Sequence, residues 1–266
     1  MAEGRITRGT TGTNRLRRID RFIAALPALR QADRPIVVDL GFGANAWTAV
    51  ELSDRLARVR DDVEVVGVEI DPARVEAARP FQRPRLQFLR GGFETPTPGG
   101  EPATVIRALN VLRQYEESEV VAAWKKMASR LQIGGVVIDG TCNEIGRVAS
   151  WVTLGTDGPI SFTIALRLTD LEKPSIVAER LPKILIHRNI AGERIHDFLN
   201  DLDRSWQLNS PRAPFGATQR FIATAQQLSD LGWAQPDASI PRGRSRWKLG
   251  EFSVPWAAVA PQGFAW

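Results

Sequence analysis

Val37-Val-Asp-Leu-Gly-Phe-Gly-Ala-Asn-Ala-Trp-Thr-Ala-Val-Glu51 is an apolar run that breaks into two glycines and resumes as a helical pattern. Gly41-x-Gly43-x-x-Ala46 fits the dinucleotide fingerprint: the first glycine makes the turn, the second lets a pyrophosphate approach, and a small third residue allows helix to pack on strand. What such a turn holds depends on the residues around it.

Outward from the turn, residues 36–40 form the preceding strand and residues 46–59 the following helix, with Ala49, Leu52 and Leu56 on one face. Residues 63–69 are a second strand. Asp71-Pro72 then starts another helix, because aspartate satisfies free amides there and proline suits the first turn. Further strands at 86–89, 104–109 and 134–139, with a helix at about 116–131, complete the alternation of a parallel sheet. The expected fold is therefore α/β, a doubly wound Rossmann-like sheet with its ligand at the carboxyl ends of the strands.

Before the sheet, Leu16, Ile19, Ile23 and Leu26 recur at helical spacing up to Pro27, and this helix is expected to act as an N-terminal lid. After Asn143 the regularity changes. A strand is expected at 161–168, amphipathic helices around Ile195 to Trp206 and Phe221 to Leu228, and a final strand or hairpin at 246–259, interrupted by Gly250 and Pro255. The expected organisation is one domain, 1–266: lid 1–34, ligand-binding core 35–143, substrate-side helical insertion 144–245 and final strand region 246–266.

The chain has 266 residues, 43% hydrophobic and 24% charged, as expected for a soluble globular protein. Without an apolar stretch long enough for a membrane helix or the apolar core of a signal peptide, a cytoplasmic location and no membrane partner are expected. A single cysteine, Cys142, and two histidines leave no disulfide and no zinc-type ligand set, so no metal is expected. The net charge of +5 invites a nucleic-acid partner, but most of the arginines are interspersed with Asp and Glu. Positive charge concentrates only at residues 15–21 and 242–248.

An NAD-type site places its ribose-binding acid roughly 20 residues beyond the glycines. Glu69, which ends the second strand, lies later than that. The only tyrosine, Tyr115, has Glu119 where a short-chain dehydrogenase would need lysine, and neither His187 nor His196 ends a core strand. Over residues 36–143 the chain instead resembles the class I S-adenosylmethionine-dependent methyltransferases. Asp39-Leu-Gly-Phe-Gly-Ala-Asn45 resembles the first motif of that family, with Asn45 where a third glycine is usual. Val66-Gly-Val-Glu-Ile-Asp-Pro72 resembles the second, and Leu89-Arg-Gly-Gly-Phe93 stands where a glycine and an adenine-contacting aspartate are usual, with Gly92 replacing that aspartate. Residues 106–115 resemble the strand end beside the methionine part.

The resemblance implies S-adenosyl-L-methionine as cofactor. It would be held by Asp39, Gly41, Phe42, Gly43 and Asn45 at the turn, Glu69 and Ile70 at the ribose, Gly92 and Phe93 at the adenine, and Asn110 at the methionyl group. The reaction implied is methyl transfer, with a small-molecule acceptor favoured and a nucleic acid as the alternative. Arg15 and Arg18, one helical turn apart, would suit a carboxylate or phosphate on the acceptor, and Tyr115 is a further candidate for its contact. Asp139, Glu144 and Tyr115 are the candidate bases, and no spacing singles one out as catalytic. Besides a binding protein that keeps the cofactor pocket without catalysis, two alternatives stay open. Gly134-Gly-Val-Val-Ile-Asp-Gly-Thr-Cys142 resembles the strand-five segment of RNA 5-methylcytosine methyltransferases, in which the cysteine is the nucleophile; the Pro-Cys element which that family also carries is absent from residues 109–112. The other is an NAD-type dinucleotide-binding protein.

Overall fold

A computed structural model of the chain describes residues 2–9 and 11–266. Its parallel strands are β1 (Ile36–Leu40), β2 (Glu64–Glu69), β3 (Leu86–Arg90), β4 (Ala103–Leu109) and β5 (Leu131–Cys142). Three more strands follow, β6 (Val148–Gly155), β7 (Gly158–Leu166) and β8 (Glu251–Pro255). All eight form one sheet in the order β3-β2-β1-β4-β5-β6-β7-β8. Pairing is parallel through β5 and antiparallel from β5 to β8. The strand order reverses between β1 and β4, and a crevice at the carboxyl ends of the strands opens at such a switch point.

The helices are α1 (Arg17–Ile23), α2 (Pro27–Gln31), α3 (Trp47–Leu56), α4 (Pro72–Ala78), α5 (Glu117–Ala128), α6 (Lys183–Ile186), α7 (Arg194–Leu208), α8 (Ala217–Asp230) and α9 (Arg244–Trp247). Asp71 caps α4 by accepting from Ala73 N, and Glu116 with Glu119 forms a capping box at the start of α5. Apolar clusters lie on both faces of the sheet, one built around α5, α7 and α8 and the other around α1, α3 and α4. A sheet covered on both faces explains why β1 and β4 are buried at every residue and read as apolar runs broken only by Asp39, Thr104 and Arg107. Among the described residues no helix is long and apolar enough to cross a membrane.

The α/β doubly wound class expected from the sequence is the class observed, with α7 and α8 inserted before the last strand. Three features differ in detail. β6 occupies a stretch for which no strand was expected, and it is joined to β7 by the tight turn at Thr156 and Asp157. Residues 246–259 contain the end of α9 as well as β8, and β8 lies at the sheet edge, where Pro255 costs no ladder bond. The N-terminal helix is not the lid. Ile19, Phe22 and Ile23 of α1 are fully buried, so this helix is a core layer, and the cover over the crevice comes from the extended residues 2–9 ahead of it.

An ion cluster fixes α1 to the sheet. Arg107 of β4 is fully buried; its Nε donates to Asp39 Oδ1 at 2.9 Å, and its Nη1 pairs with Asp20 of α1. Arg55 of α3 reaches the other oxygen of Asp20. Burial pushes the Asp20 carboxyl up, to about 6, against the pull of Arg107 and Arg55. Burial opposes the charge on Arg107, and the carboxylates of Asp39 and Asp20 more than offset it, so the guanidinium stays protonated. Arg107→Met removes the cation from two buried carboxylates and should destabilise the fold by about 3–5 kcal/mol, as for other broken buried pairs. Urea unfolding checks this, and an unchanged midpoint would refute it.

Candidate functional site

β1 delivers its last residue to Gly41 and Gly43, both at positive φ (72° and 86°), which glycine adopts without strain. The turn is locked to β2: Gly41 N donates to Val68 O at 2.7 Å, and Gly43 N to Glu69 Oε2 at 2.9 Å. Glu69 is 1% exposed, and its Oε1 accepts from the amides of Ile70 (3.0 Å) and Asp71 (3.3 Å). Nη1 of Arg74, from α4, lies 3.6 Å from Glu69 Oε2. Among the described residues that Nη1 has no hydrogen-bond partner.

Asp39 is drawn into the core. It accepts from Thr48 Oγ1 at 2.7 Å and pairs with Arg107. Phe42 is also buried, edge-on to Phe88 at 5.3 Å, while Asn45 is exposed and Ile70 half-buried. Asn110, at φ 63°, joins the ends of β4 and β5: its Oδ1 accepts from Cys142 N at 3.0 Å and its Nδ2 lies 3.4 Å from Cys142 Sγ. Cys142 is itself only 1% exposed. Phe93 packs edge-on against Tyr115 at 5.2 Å.

Across this groove runs a strap formed by residues 3–9. Glu3 O accepts from Phe93 N at 2.8 Å, Thr7 O from Arg74 Nη2 at 2.9 Å, and Gly9 O from Ala44 N at 3.0 Å. Tyr115 anchors the strap midway, its hydroxyl bonded to Arg5 N and its ring under the Arg5 guanidinium at 4.5 Å. The glycines of the groove match the strap. A Cβ on Gly92 would lie 1.9 Å from Glu3 O, and one on Gly43 would lie 2.6 Å from Gly9 O. An aspartate at position 92 would not fit beneath the strap as it lies. Beneath the strap only about 20 Å³ remains near Glu69 and Phe93, while about 180 Å³ remains between Gly41, Asn110 and Arg15.

The structure separates the expected arginine pair. Arg15 lines the larger cavity, donating to Asn143 O at 3.2 Å. Arg18 does not: it donates to the carbonyls of Gly146 and Leu249, both at 3.1 Å, and burial followed by Arg21 and Arg17 lowers it to about 10. The basic stretches at 15–21 and 242–248 do meet, but through a buried acid: Glu251 binds Arg21 and Arg246 together. The cavity gains two arginines that sequence reading passed over, Arg113 after β4 and Arg180 before α6. Only the fold brings them together, so periodicity carries no signal for them. The opposite holds for Arg107, whose signal was a lone arginine in the apolar run of β4.

No family model and no curated protein matches the chain. Among solved structures it is similar to NcsB1, an O-methyltransferase from neocarzinostatin biosynthesis, at 24% identity over 44% of this chain and 35% of that one (TM-score 0.34). It is similar to the mitomycin 7-O-methyltransferase MmcR at 20% identity over 46% and 35% (TM-score 0.36). A TehB-like SAM-dependent methyltransferase from Corynebacterium glutamicum matches at 22% identity over 48% and 63% (TM-score 0.35). The chain thus spans about a third of the length of the first two, and at these TM-scores the likeness carries no functional weight.

Of the candidate bases, Asp139 is fully enclosed on β5, where it accepts from Trp124 Nε1 at 2.9 Å, and it does not line the cavity. Burial pushes its carboxyl up to about 7, against the opposing Trp124 bond. The folded chain holds this proton up to about pH 7, whereas the unfolded chain releases it near 3.8, so Asp139 makes the fold lose stability as pH rises across that interval. The loss amounts to up to about 4 kcal/mol. Asp139→Asn should abolish this component, which urea titrations at pH 4.5 and 7.5 would reveal as a flatter pH dependence than in the parent.

Proposed function

We propose that the chain binds S-adenosyl-L-methionine in the groove above Gly41 and Gly43 and transfers its methyl group to a small-molecule acceptor. The observation that carries this reading is Glu69: a buried carboxylate at the end of β2, hydrogen-bonded to a two-glycine turn at the switch point of the sheet. In this reading Glu69 and Ile70 hold the ribose, Gly92 and Phe93 flank the adenine, and Gly41, Phe42, Gly43 and Asn45 shape the turn. Asn110 lies beside the methionyl group. Asp39 acts at one remove, holding the turn through Thr48 and Arg107.

The donor set fits the cofactor in kind. Arg74 Nη1 is buried without a hydrogen-bond partner among the described residues, and the amides of Phe93 and Ala44 are satisfied only by strap carbonyls, so all three can serve a ligand. The space is what the strap takes, so binding in this reading lifts residues 3–9. When bound, the sulfonium supplies an already activated methyl group, and alignment with exclusion of water then suffices for an amine or thiol acceptor. No side chain is assigned as base: Asp139 faces Trp124, Glu144 pairs with Arg180, and among the described residues nothing in the cavity orients the Tyr115 hydroxyl once the strap is lifted. A small acceptor is favoured over nucleic acid because Arg18 and Arg246 are turned inward and Arg21, though exposed, is paired with the buried Glu251.

Charge-assisted bonds to a ribose are worth about 1.5–3 kcal/mol each, so Glu69→Ala should weaken S-adenosylhomocysteine binding at least tenfold by calorimetry. Gly92→Ala, which drives a Cβ into Glu3 O, should loosen the strap and tighten the same ligand. Unchanged affinity in a folded Glu69→Ala variant would sink the assignment.

A further inference from the structure

The cavity of about 180 Å³ beside the glycine turn is walled by four arginines, Arg8, Arg15, Arg113 and Arg180. Among the described residues the only carboxylate lining it is Asp39, and that charge is already taken by Arg107. Arg180 has, among the described residues, one counter-charge, Glu144, whose side chain is 76% exposed. Arg113 forms no ion pair among the described residues. Nη1 of Arg113, Nε of Arg180 and Oγ1 of Thr11, all on residues lining the cavity, are buried and without hydrogen-bond partners among the described residues.

This arrangement is built, not incidental. The carbonyl of Arg180 is clamped by two buried hydroxyls, Thr141 Oγ1 of β5 and Ser150 Oγ of β6, each at 2.6 Å. The clamp fixes the start of the side chain over the end of the sheet. Arg113 sits in the turn after β4 that begins with Asn110, which is itself bonded to Cys142. Burial and then the neighbouring Arg180 charge lower the proton affinity of Arg113, with only a weaker opposing pull from Glu144. Two guanidinium groups that repel each other across a partly enclosed space, with donors left over, are complementary to an oxyanion.

We propose that Arg113 and Arg180, flanked by Arg15, form an oxyanion-binding site that takes the carboxylate or phosphate of the methyl acceptor, while Arg8 belongs to the strap that lifts when the cofactor binds. Calling the bound anion an acceptor rests on the methyltransferase reading, while the anion site itself does not. The site replaces the Arg15 and Arg18 pair suggested by helical spacing, since Arg18 bonds backbone carbonyls instead. Its position beside Gly41 and Asn110 places the anion next to the proposed methionyl end of the groove.

The test is a calorimetric titration of the full chain with inorganic phosphate, with benzoate, and with benzamide as the uncharged control. Phosphate or benzoate should bind and benzamide should not, and whichever anion binds more tightly identifies the head group. Arg113→Gln and the double variant with Arg180→Gln should weaken that anion at least tenfold while S-adenosylhomocysteine affinity changes by less than twofold. Glu144→Gln, which frees Arg180, should strengthen it. Absence of anion binding to the parent chain, or equal binding in the folded double variant, would overturn the site even if S-adenosylhomocysteine binds. Anion binding without S-adenosylhomocysteine binding would keep the site and remove the methyltransferase reading.

Discussion

The contact between Arg107 and its two carboxylates holds the rest of the structure in place. Arg107 comes from the middle of β4, Asp39 from β1 and Asp20 from α1, so one guanidinium joins two sheet strands to the helix covering them. Its Nη2 also donates to Thr48 O at 3.0 Å, at the start of the helix that leaves the glycine turn. An isolated charge of this kind would be expelled from an apolar interior. Here the charges satisfy one another, and the arrangement is stable only when α1, β1, β4 and α3 are all in register.

That cluster also marks where sequence reading stops. Strands β1 to β4 and the middle of β5 were legible because each holds a short run rich in apolar residues bounded by glycine, proline or a capping acid, and their order follows from the alternation with helices; β5 runs three residues further at each end than its apolar centre. β6 was not legible. It is buried on both faces, so it shows no period-two alternation, and the Asp157-Gly158 turn signal that marks its hairpin falls in a region whose regularity had already changed. At the site, Gly41 and Gly43 belong to one short legible motif and Glu69 to another, and the structure brings the two motifs together through the Gly43 N to Glu69 bond. Arg113 and Arg180 come from segments joined only by tertiary structure. Asp39 was picked out by its motif, but its burial beside Arg107 cannot be read from a motif.

Part of the chain's arginine content is used inside the molecule. Several of these side chains act as struts: Arg60 donates to the carbonyls of Leu29, Arg30 and Ala32, Arg18 to those of Gly146 and Leu249, and Arg246 to the buried Glu251. A planar group with five donors in a fixed fork can close more loop carbonyls at once than the three donors of a lysine ammonium. A basic composition is therefore compatible with a surface that is not organised for polyanions.

The strap has a consequence that follows from its covalent attachment. A free inhibitor competes in proportion to its concentration, but a tethered segment presents a fixed local concentration however dilute the protein is. For any ligand needing the amides of Phe93 and Ala44, the strap divides the intrinsic affinity by a constant set by the open fraction, about a hundredfold if one molecule in a hundred is open. That constant is tuned by contacts outside the groove, such as the Lys126 to Glu3 pair at 2.8 Å, which is 41% and 51% exposed at its two ends. Ionic strength screens exposed pairs of this kind. The occupancy of the groove would then respond to salt through a contact that never touches the ligand.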